Sequence, residues 1–277
     1  GGKSRLKVTT SGLYGMPKIE HNVLLNFRGV SGLSVRNLEF EEFHWFAILL
    51  EGVSSGTLEN LRFQSYPRVP EEGGILIRSG CKNLRIENLT GRTGHHTVEL
   101  SAEHGPIEDV RIRNLMTDPA RGSLVMLCTG EGGTIRNVSI DRAVDSSDFY
   151  EKQRSGSVLA FGKPGQESGR EARIFGITAE NLYSRSVNAV ELNEPVSGLR
   201  VQNLMTFGDN IYAVGSKSTG PILLSDAVID GICYGAGSEP NNSASFISRY
   251  AKGAKPVQAE NVSGLKVRRL LTQEEEA

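Results

Sequence analysis

The chain has 277 residues, which is enough for one large domain with a substantial core. Lys and Arg number 31 and Asp and Glu number 32, so the formal net charge of -1 predicts neither a nucleic-acid partner nor binding to an anionic membrane. No apolar run approaches the roughly 18 residues that a membrane span needs, and 32 glycines against ten prolines favour short strands and turns over a helix bundle.

The first predicted element is an irregular N-terminal cap over residues 1–20, which would cover the first strand, residues 23–27. A strand-like segment that ends in Asn followed by Leu or Val then recurs seven times. The seven are Asn37, Asn60, Asn88, Asn114, Asn137, Asn181 and Asn203. Successive differences are 23, 28, 26, 23, 44 and 22, so most turns of the chain take 22 to 28 residues and one carries an insertion.

A second short strand follows each copy after a turn. These strands alternate or run apolar, as strands with one buried face do. They cover residues 46–50, 74–77, 97–100, 123–127, 157–161, 189–192 and 210–214. Two or three strands per turn without an intervening helix predict an all-β fold, a single-stranded right-handed parallel β-helix of about nine or ten rungs.

The β-helix is predicted to occupy residues 21–271 and to be followed by a charged tail, 272–277. We expect the seven Asn side chains to form one column at a corner of the solenoid. Asn tolerates left-handed backbone geometry, and stacked amides can hydrogen bond from one rung to the next. The cysteines, Cys81, Cys128 and Cys233, are widely spaced and lack a C-x-x-C pair, so we expect small buried side chains and neither disulfides nor zinc.

The repeat pattern over residues 20–210 resembles the right-handed parallel β-helix of the pectin-lyase-like superfamily, and within it the polygalacturonase-type glycoside hydrolases. That resemblance implies catalytic segments on one sheet: Asn-Thr-Asp-Gly-Ile-Asp, then Gly-Asp-Asp, Gly-His-Gly and Arg-x-Lys. In the register of the repeats they fall on residues 71–76, 94–96, 121–123 and 157–160. None retains its catalytic residue, so the family's two-carboxylate hydrolysis does not carry over through these positions.

Other residues on the same surface have the chemistry for acid and base catalysis. Strand alternation places Val98 and Leu100 inward, and His95, Thr97 and Glu99 outward. The predicted catalytic residues are His95, His96, Glu99 and Glu72. The predicted substrate-binding residues are Arg78, Arg121, Trp45, Glu191, Lys152 and Arg154.

We expect no metal and no cofactor, because His95 and His96 are adjacent on a strand and should point to opposite faces. The favoured function is a carbohydrate-active enzyme, a glycoside hydrolase or a polysaccharide lyase, whose partner is a polysaccharide or oligosaccharide. A secreted or periplasmic location would follow from that function. The alternative is a non-catalytic glycan-binding or structural β-helix module that has lost the family's acids, which the missing catalytic groups would explain equally well.

Overall fold

A computed structural model describes residues 23–41, 43, 45–65, 72–147, 156–163, 171–186, 188–206, 210–214, 222–233, 257–259 and 263–271. Within these ranges the strands form two sheets of nine strands each and there is no helix. Neighbouring strands run parallel throughout both sheets. The predicted class, a parallel β-solenoid, is confirmed. The proposed cap, 1–20, and tail, 272–277, lie outside the described residues.

Strands alternate between the two sheets along the chain, so each turn contributes one strand to each sheet. The short-strand sheet contains β1 (Leu25–Arg28), β3 (Phe46–Glu51), β5 (Gly73–Arg78), β7 (Val98–Ala102), β9 (Val125–Thr129), β11 (Leu159–Phe161), β13 (Asn188–Leu192), β15 (Asn210–Val214) and β17 (Val257–Ala259). The long-strand sheet contains β2 (Ser31–Glu41), β4 (Ser54–Gln64), β6 (Lys82–Thr93), β8 (Pro106–Pro119), β10 (Thr134–Asp145), β12 (Ile174–Ser184), β14 (Val196–Thr206), β16 (Leu223–Cys233) and β18 (Ser263–Leu271).

The core lies between the sheets and is built from columns of aliphatic side chains. One column stacks Ile48, Ile75, Val98 and Val125 at equivalent positions of β3, β5, β7 and β9. All four are fully buried. Burying each such side chain stabilises the fold by roughly 1.5–3 kcal/mol, and β-branched residues suit the pleated surface. No described segment is a helix long and apolar enough to cross a membrane.

The long strands are interrupted by residues in the left-handed region of backbone space. Such residues break the regular ladder and bend a strand locally. Apart from Gly91 in β6, they form two columns, five residues apart in each strand, with φ between 48° and 73°. The first column is Gly32, Ser55, Asn83, Asp109, Asn137, Gly176, Gly198 and Asp226. The second is Asn37, Asn60, Asn88, Asn114, Arg142, Asn181 and Asn203.

The prediction of a single column of seven Asn residues is therefore wrong at one position. Asn137 lies in the first column, where its Nδ2 donates to Asp109 Oδ1 at 3.1 Å. The second column has Arg142 at the corresponding rung, since Asp141 pairs with Glu180 and Ala143 with Leu182 on either side of it. The sequence spacing was misleading because Asn occurs in both columns. Asn137 is followed by Val138, which resembles the Asn-Leu pairs of the second column.

The remaining six Asn side chains form the predicted ladder in two segments, one from Asn37 to Asn114 and one from Asn181 to Asn203. Asn60 donates to Asn37 at 3.0 Å, and Asn88 and Asn114 each donate to the preceding rung at 2.9 Å. Asn203 donates to Asn181 at 2.7 Å. The amide hydrogen bonds thus connect successive rungs at one corner of the solenoid.

Asp141 takes over where Arg142 interrupts the ladder. Asn181 Nδ2 donates to Asp141 Oδ1 at 2.9 Å, and the Arg113 and Arg142 guanidinium groups lie within 3.4 Å of the other oxygen. The Asn181 hydrogen bond and then the two arginines hold the pKa of Asp141 below its ordinary value. A carboxylate on the neighbouring residue therefore replaces the missing amide acceptor.

Candidate functional site

The outer face of the short-strand sheet carries a groove of about 690 Å³. Seven of the predicted site residues line it: Trp45, Arg78, His95, His96, Glu99, Arg121 and Glu191. Glu72 is not among the lining residues and is about 1% exposed. Lys152 and Arg154 lie outside the described residues. The structure thus brings together most of the predicted set at one surface, across rungs that are far apart in sequence.

Strand alternation places Glu99 in this groove. Val98 and Leu100 are fully buried in the core, as predicted, and Glu99 between them lines the outer face. The prediction that Thr97 also points outward is wrong, because Thr97 is fully buried and its hydroxyl contacts that of Thr117 at 2.7 Å. β7 begins only at Val98, so the alternation does not extend back to residue 97.

Equivalent outer positions of successive rungs differ in chemistry. Leu49, Leu76, Glu99, Met126, Ala160 and Glu191 occupy one column across the sheet. Its first two members pack with Phe46 in a small apolar cluster on the outer face. The acidic members lie further along the solenoid. Apolar and acidic positions therefore follow one another along the groove, since Met126 and Ala160 lie between Glu99 and Glu191.

His95 and His96 both line the groove and are half-buried. Their rings meet edge to face, with centroids 3.9 Å apart and planes at 68°. The expectation that they point to opposite faces is wrong because both precede β7 and lie outside the regular strand. Ligand atoms of His95, His96 and Glu99 all lie within 4.8 Å of one another. The geometric reason for excluding a shared ion therefore fails.

A backbone hydrogen bond orients His96. The Ser123 amide donates to His96 Nδ1 at 2.9 Å. Gly122 packs directly against the His95–His96 peptide, where a Cβ would collide with the His95 carbonyl carbon and the His96 nitrogen. The segment at 122–123 therefore fixes the histidine pair through contacts that a larger residue at 122 would prevent.

Lys163 supplies a cation beside Glu99. Its Nζ lies 3.7 Å from Glu99 Oε1. Partial burial opposes the charge on Lys163, but the carboxylates of Glu99 and Glu103 outweigh it and raise the pKa of Lys163 above its ordinary value. Lys163 is therefore a permanent cation at neutral pH and not a base.

The two cysteines with described side chains, Cys81 and Cys128, are free and buried, as predicted. Cys128 Sγ lies 3.5 Å from Ser101 Oγ, beneath the groove. Burial, followed by the charge of Glu99, raises the pKa of the Cys128 thiol to about 12. Cys128 is thus a protonated thiol and not a nucleophile.

The predicted binding residues have distinct surroundings. The Arg78 guanidinium lies over the Trp45 ring, 5.7 Å from its centroid, and Phe46 meets Trp45 edge to face at 5.3 Å. Trp45 is therefore partly engaged within the protein, although it lines the groove. Arg121 is exposed. Glu191 is about 5% exposed and accepts a hydrogen bond from Asn188 Nδ2 at 3.2 Å.

Glu72 occupies the position immediately before β5, and its backbone oxygen accepts from the His95 amide at 3.1 Å. This backbone hydrogen bond joins Glu72 to the histidine pair. Burial of Glu72 separates it from the groove, which the sequence did not reveal because the residue precedes a strand and cannot be placed by alternation.

Sequence reasoning missed Lys163, Glu103 and Ser123 as groove residues. A signal existed for Lys163, since it follows Phe161 by two residues and Phe161 aligns with Leu127 in the strand register. Ser123 acts through its amide, which no residue type reveals. Comparisons with protein-family models, with curated proteins and with solved structures give no match.

Proposed function

We propose that this β-solenoid binds a polysaccharide along the outer groove of the short-strand sheet and cleaves it, as a lyase or a glycoside hydrolase. The observation that carries the proposal is the convergence of His95, His96, Glu99, Arg121 and Lys163 on one groove of about 690 Å³. Imidazoles can exchange protons near neutral pH, and the cations can stabilise negative charge that develops on a substrate.

The mixture of apolar and polar side chains in the groove supports a glycan. Sugar rings combine apolar faces with hydroxyl edges, and the groove offers Trp45 and Leu76 near one end and Glu191 and Asn193 further along. The repeat pattern supports membership of the pectin-lyase-like superfamily as part of the same proposal. In that superfamily the catalytic segments lie on one sheet, and the groove that His95 and His96 line is likewise on one sheet.

Elimination fits these residues better than hydrolysis does. In a lyase reaction a base removes the proton next to a uronate carboxylate while a cation neutralises that carboxylate. Arg121, which is exposed and lines the groove, supplies the cation, and a histidine supplies the base. Hydrolysis would need a carboxylic acid and a carboxylate at a suitable separation, whereas Glu99 is already paired with Lys163.

The test is a screen of acidic and neutral polysaccharides, with detection of new reducing ends and of absorbance from unsaturated uronate products. We expect unsaturated products from the wild-type protein. His95→Ala should reduce turnover by about 10²-fold or more, as loss of a general acid or base does. His104→Ala is the matched control, because His104 is exposed and is not among the groove residues. Equal turnover in His95→Ala and wild type would remove the histidine pair from the proposal.

The second candidate function is a non-catalytic glycan-binding module. The Glu99–Lys163 pair favours it, since a carboxylate engaged by a cation is a binding element as readily as a catalytic one. Binding of a polysaccharide without reducing ends or unsaturated products would select this alternative. Neither binding nor turnover across the panel would contradict both.

A further inference from the structure

The hydrogen bond to the ring of His96 determines which of its ring nitrogens carries the proton. A backbone amide can only donate, so the Ser123 N–H bound to His96 Nδ1 at 2.9 Å requires a lone pair on that nitrogen. A neutral imidazole carries one proton, and in His96 it must therefore be on Nε2. His96 is among the residues that line the groove.

The Ser123 amide cannot easily turn away from His96. Ser123 is about 4% exposed, its oxygen accepts from the Thr97 amide at 3.1 Å, and its hydroxyl lies 2.9 Å from Ser157 Oγ. The preceding residue, Gly122, is packed against the His95–His96 peptide. The amide that selects the His96 tautomer is thus held from both sides.

We infer that His96 serves the groove as a neutral hydrogen-bond donor through Nε2–H, and that His95 is the imidazole that accepts a proton. The donor assignment comes from the geometry of the free protein, and the base assignment rests on the proposed function. A ligand oxygen, from a hydroxyl or a carboxylate, is the partner that such a donor binds.

The same geometry opposes a metal ion shared by His95, His96 and Glu99. A histidine that binds metal through Nε2 normally donates Nδ1–H to an acceptor. In His96 that nitrogen faces the Ser123 N–H donor instead. Metal binding through Nε2 would place two hydrogens against each other and break the Ser123 hydrogen bond.

Ring nitrogen NMR of the free, full-length protein tests the donor assignment at neutral pH. We expect the Nε2–H tautomer of His96 in wild type and in Ser123→Ala, which keeps the backbone amide. Ser123→Pro removes that amide, and if it folds it should populate both tautomers. An Nδ1–H tautomer of His96 in wild type would overturn the inference. The NMR measurement requires no glycan.

Titration with ZnCl₂ tests the metal question, followed by calorimetry and by the His96 ring signals. We expect weak binding that His96→Ala changes less than twofold. Tight binding that His96→Ala weakens by tenfold or more, with transfer of the His96 proton to Nδ1, would overturn the inference.

Turnover separates the two histidines. His96→Gln, whose side-chain amide can still donate, should retain turnover within about tenfold of wild type, which is the range expected for one altered hydrogen bond. His95→Gln should lose about 10²-fold or more, because glutamine is not a base. The opposite order would overturn the base assignment. If no polysaccharide is cleaved, the proposed function and the base assignment that rests on it both fail, and the NMR result alone still decides the donor assignment.

Discussion

The second left-handed column of the long-strand sheet, here called the Asn column, and the groove on the short-strand sheet are built from the same repeat. They differ in whether successive rungs have the same residue type at equivalent positions. Six of seven members of the second left-handed column are Asn, and four Asn–Asn hydrogen bonds link their rungs on either side of Arg142. In the groove, one outer column changes from Leu49 to Glu99 to Ala160. Uniform positions carry the fold, and positions where the repeat varies carry the candidate chemistry.

The largest effect on stability is expected from a core residue next to a groove residue. Leu100 faces the core and Glu99 the groove on β7. Leu100→Ala should lower the free energy of unfolding by about 2–5 kcal/mol, because it removes buried contacts and leaves a cavity. Glu99→Gln should cost less than Leu100→Ala, since glutamine keeps the size of the side chain and leaves no cavity. Chemical denaturation measures both.

Glycan binding should be affected more by Glu99→Gln than by Leu100→Ala, the reverse of the effects on stability. Glu99→Gln should alter it, whereas Leu100→Ala should leave it unchanged at temperatures where the protein is folded. Equal stability losses in the two variants would contradict the division of β7 into a core face and a groove face.

Replacing one member of the Asn column should lower the free energy of unfolding by an intermediate amount. Asn88→Ala removes amide hydrogen bonds to two neighbouring rungs and places Ala at a φ of 56°. We expect a loss of about 2 kcal/mol, from roughly 1 kcal/mol of backbone strain and roughly 1 kcal/mol of hydrogen bonding. Asn26→Ala, on the exposed face of β1, is the matched control and should change stability by less than about 0.5 kcal/mol.

Arg142→Asn sharpens the assignment of the two columns. The second column has Arg142 at a φ of 60°, where Asn is more favourable. The variant should be as stable as wild type or more stable by up to about 1 kcal/mol, measured by thermal unfolding. A loss of about 2 kcal/mol or more would show that Arg142 is required at this position and that the column does not select Asn.

The smallest predicted effect is a loss of thermal stability at low pH. The pKa values of Asp141 and Glu87 are lowered, by the Asn181 hydrogen bond and the Arg85 hydrogen bond respectively. A carboxyl group whose pKa is lower in the folded state stabilises the protein above the unfolded pKa, and this contribution is lost as the pH falls through the folded value. The melting temperature should fall as the pH drops below about 4.

Asp141→Asn should make this decline shallower, and Glu180→Gln, at the paired position of the next rung, is the control. An identical pH profile in Asp141→Asn and wild type would show that Asp141 is not linked to folding.

The sequence predicted the fold well because strand position is encoded by apolar periodicity and by Asn at left-handed positions. Predicted strands 46–50 and 210–214 correspond to β3 and β15 almost residue for residue. The exchange of Asn137 for Arg142 was missed because two columns with the same backbone requirement cannot be separated by residue type alone.

The candidate site was predictable only where strand alternation applies. Glu99 and Arg78 were correctly placed on the outer face, whereas Thr97 and the opposed orientation of His95 and His96 were wrong because these three residues precede β7. The hydrogen bond that orients His96 comes from a backbone amide, which leaves no trace in residue identity.

The most direct test of the account is amide NMR of the ¹⁵N-labelled protein titrated with acidic and neutral oligosaccharides. It compares the groove and the Asn column in one experiment. We predict that shifts concentrate at His95, His96 and Ser123 and leave Asn60 and Asn88 unchanged. Shifts on the long-strand sheet, or none in the groove at saturating oligosaccharide, would contradict the claim that the outer face of the short-strand sheet is the functional surface.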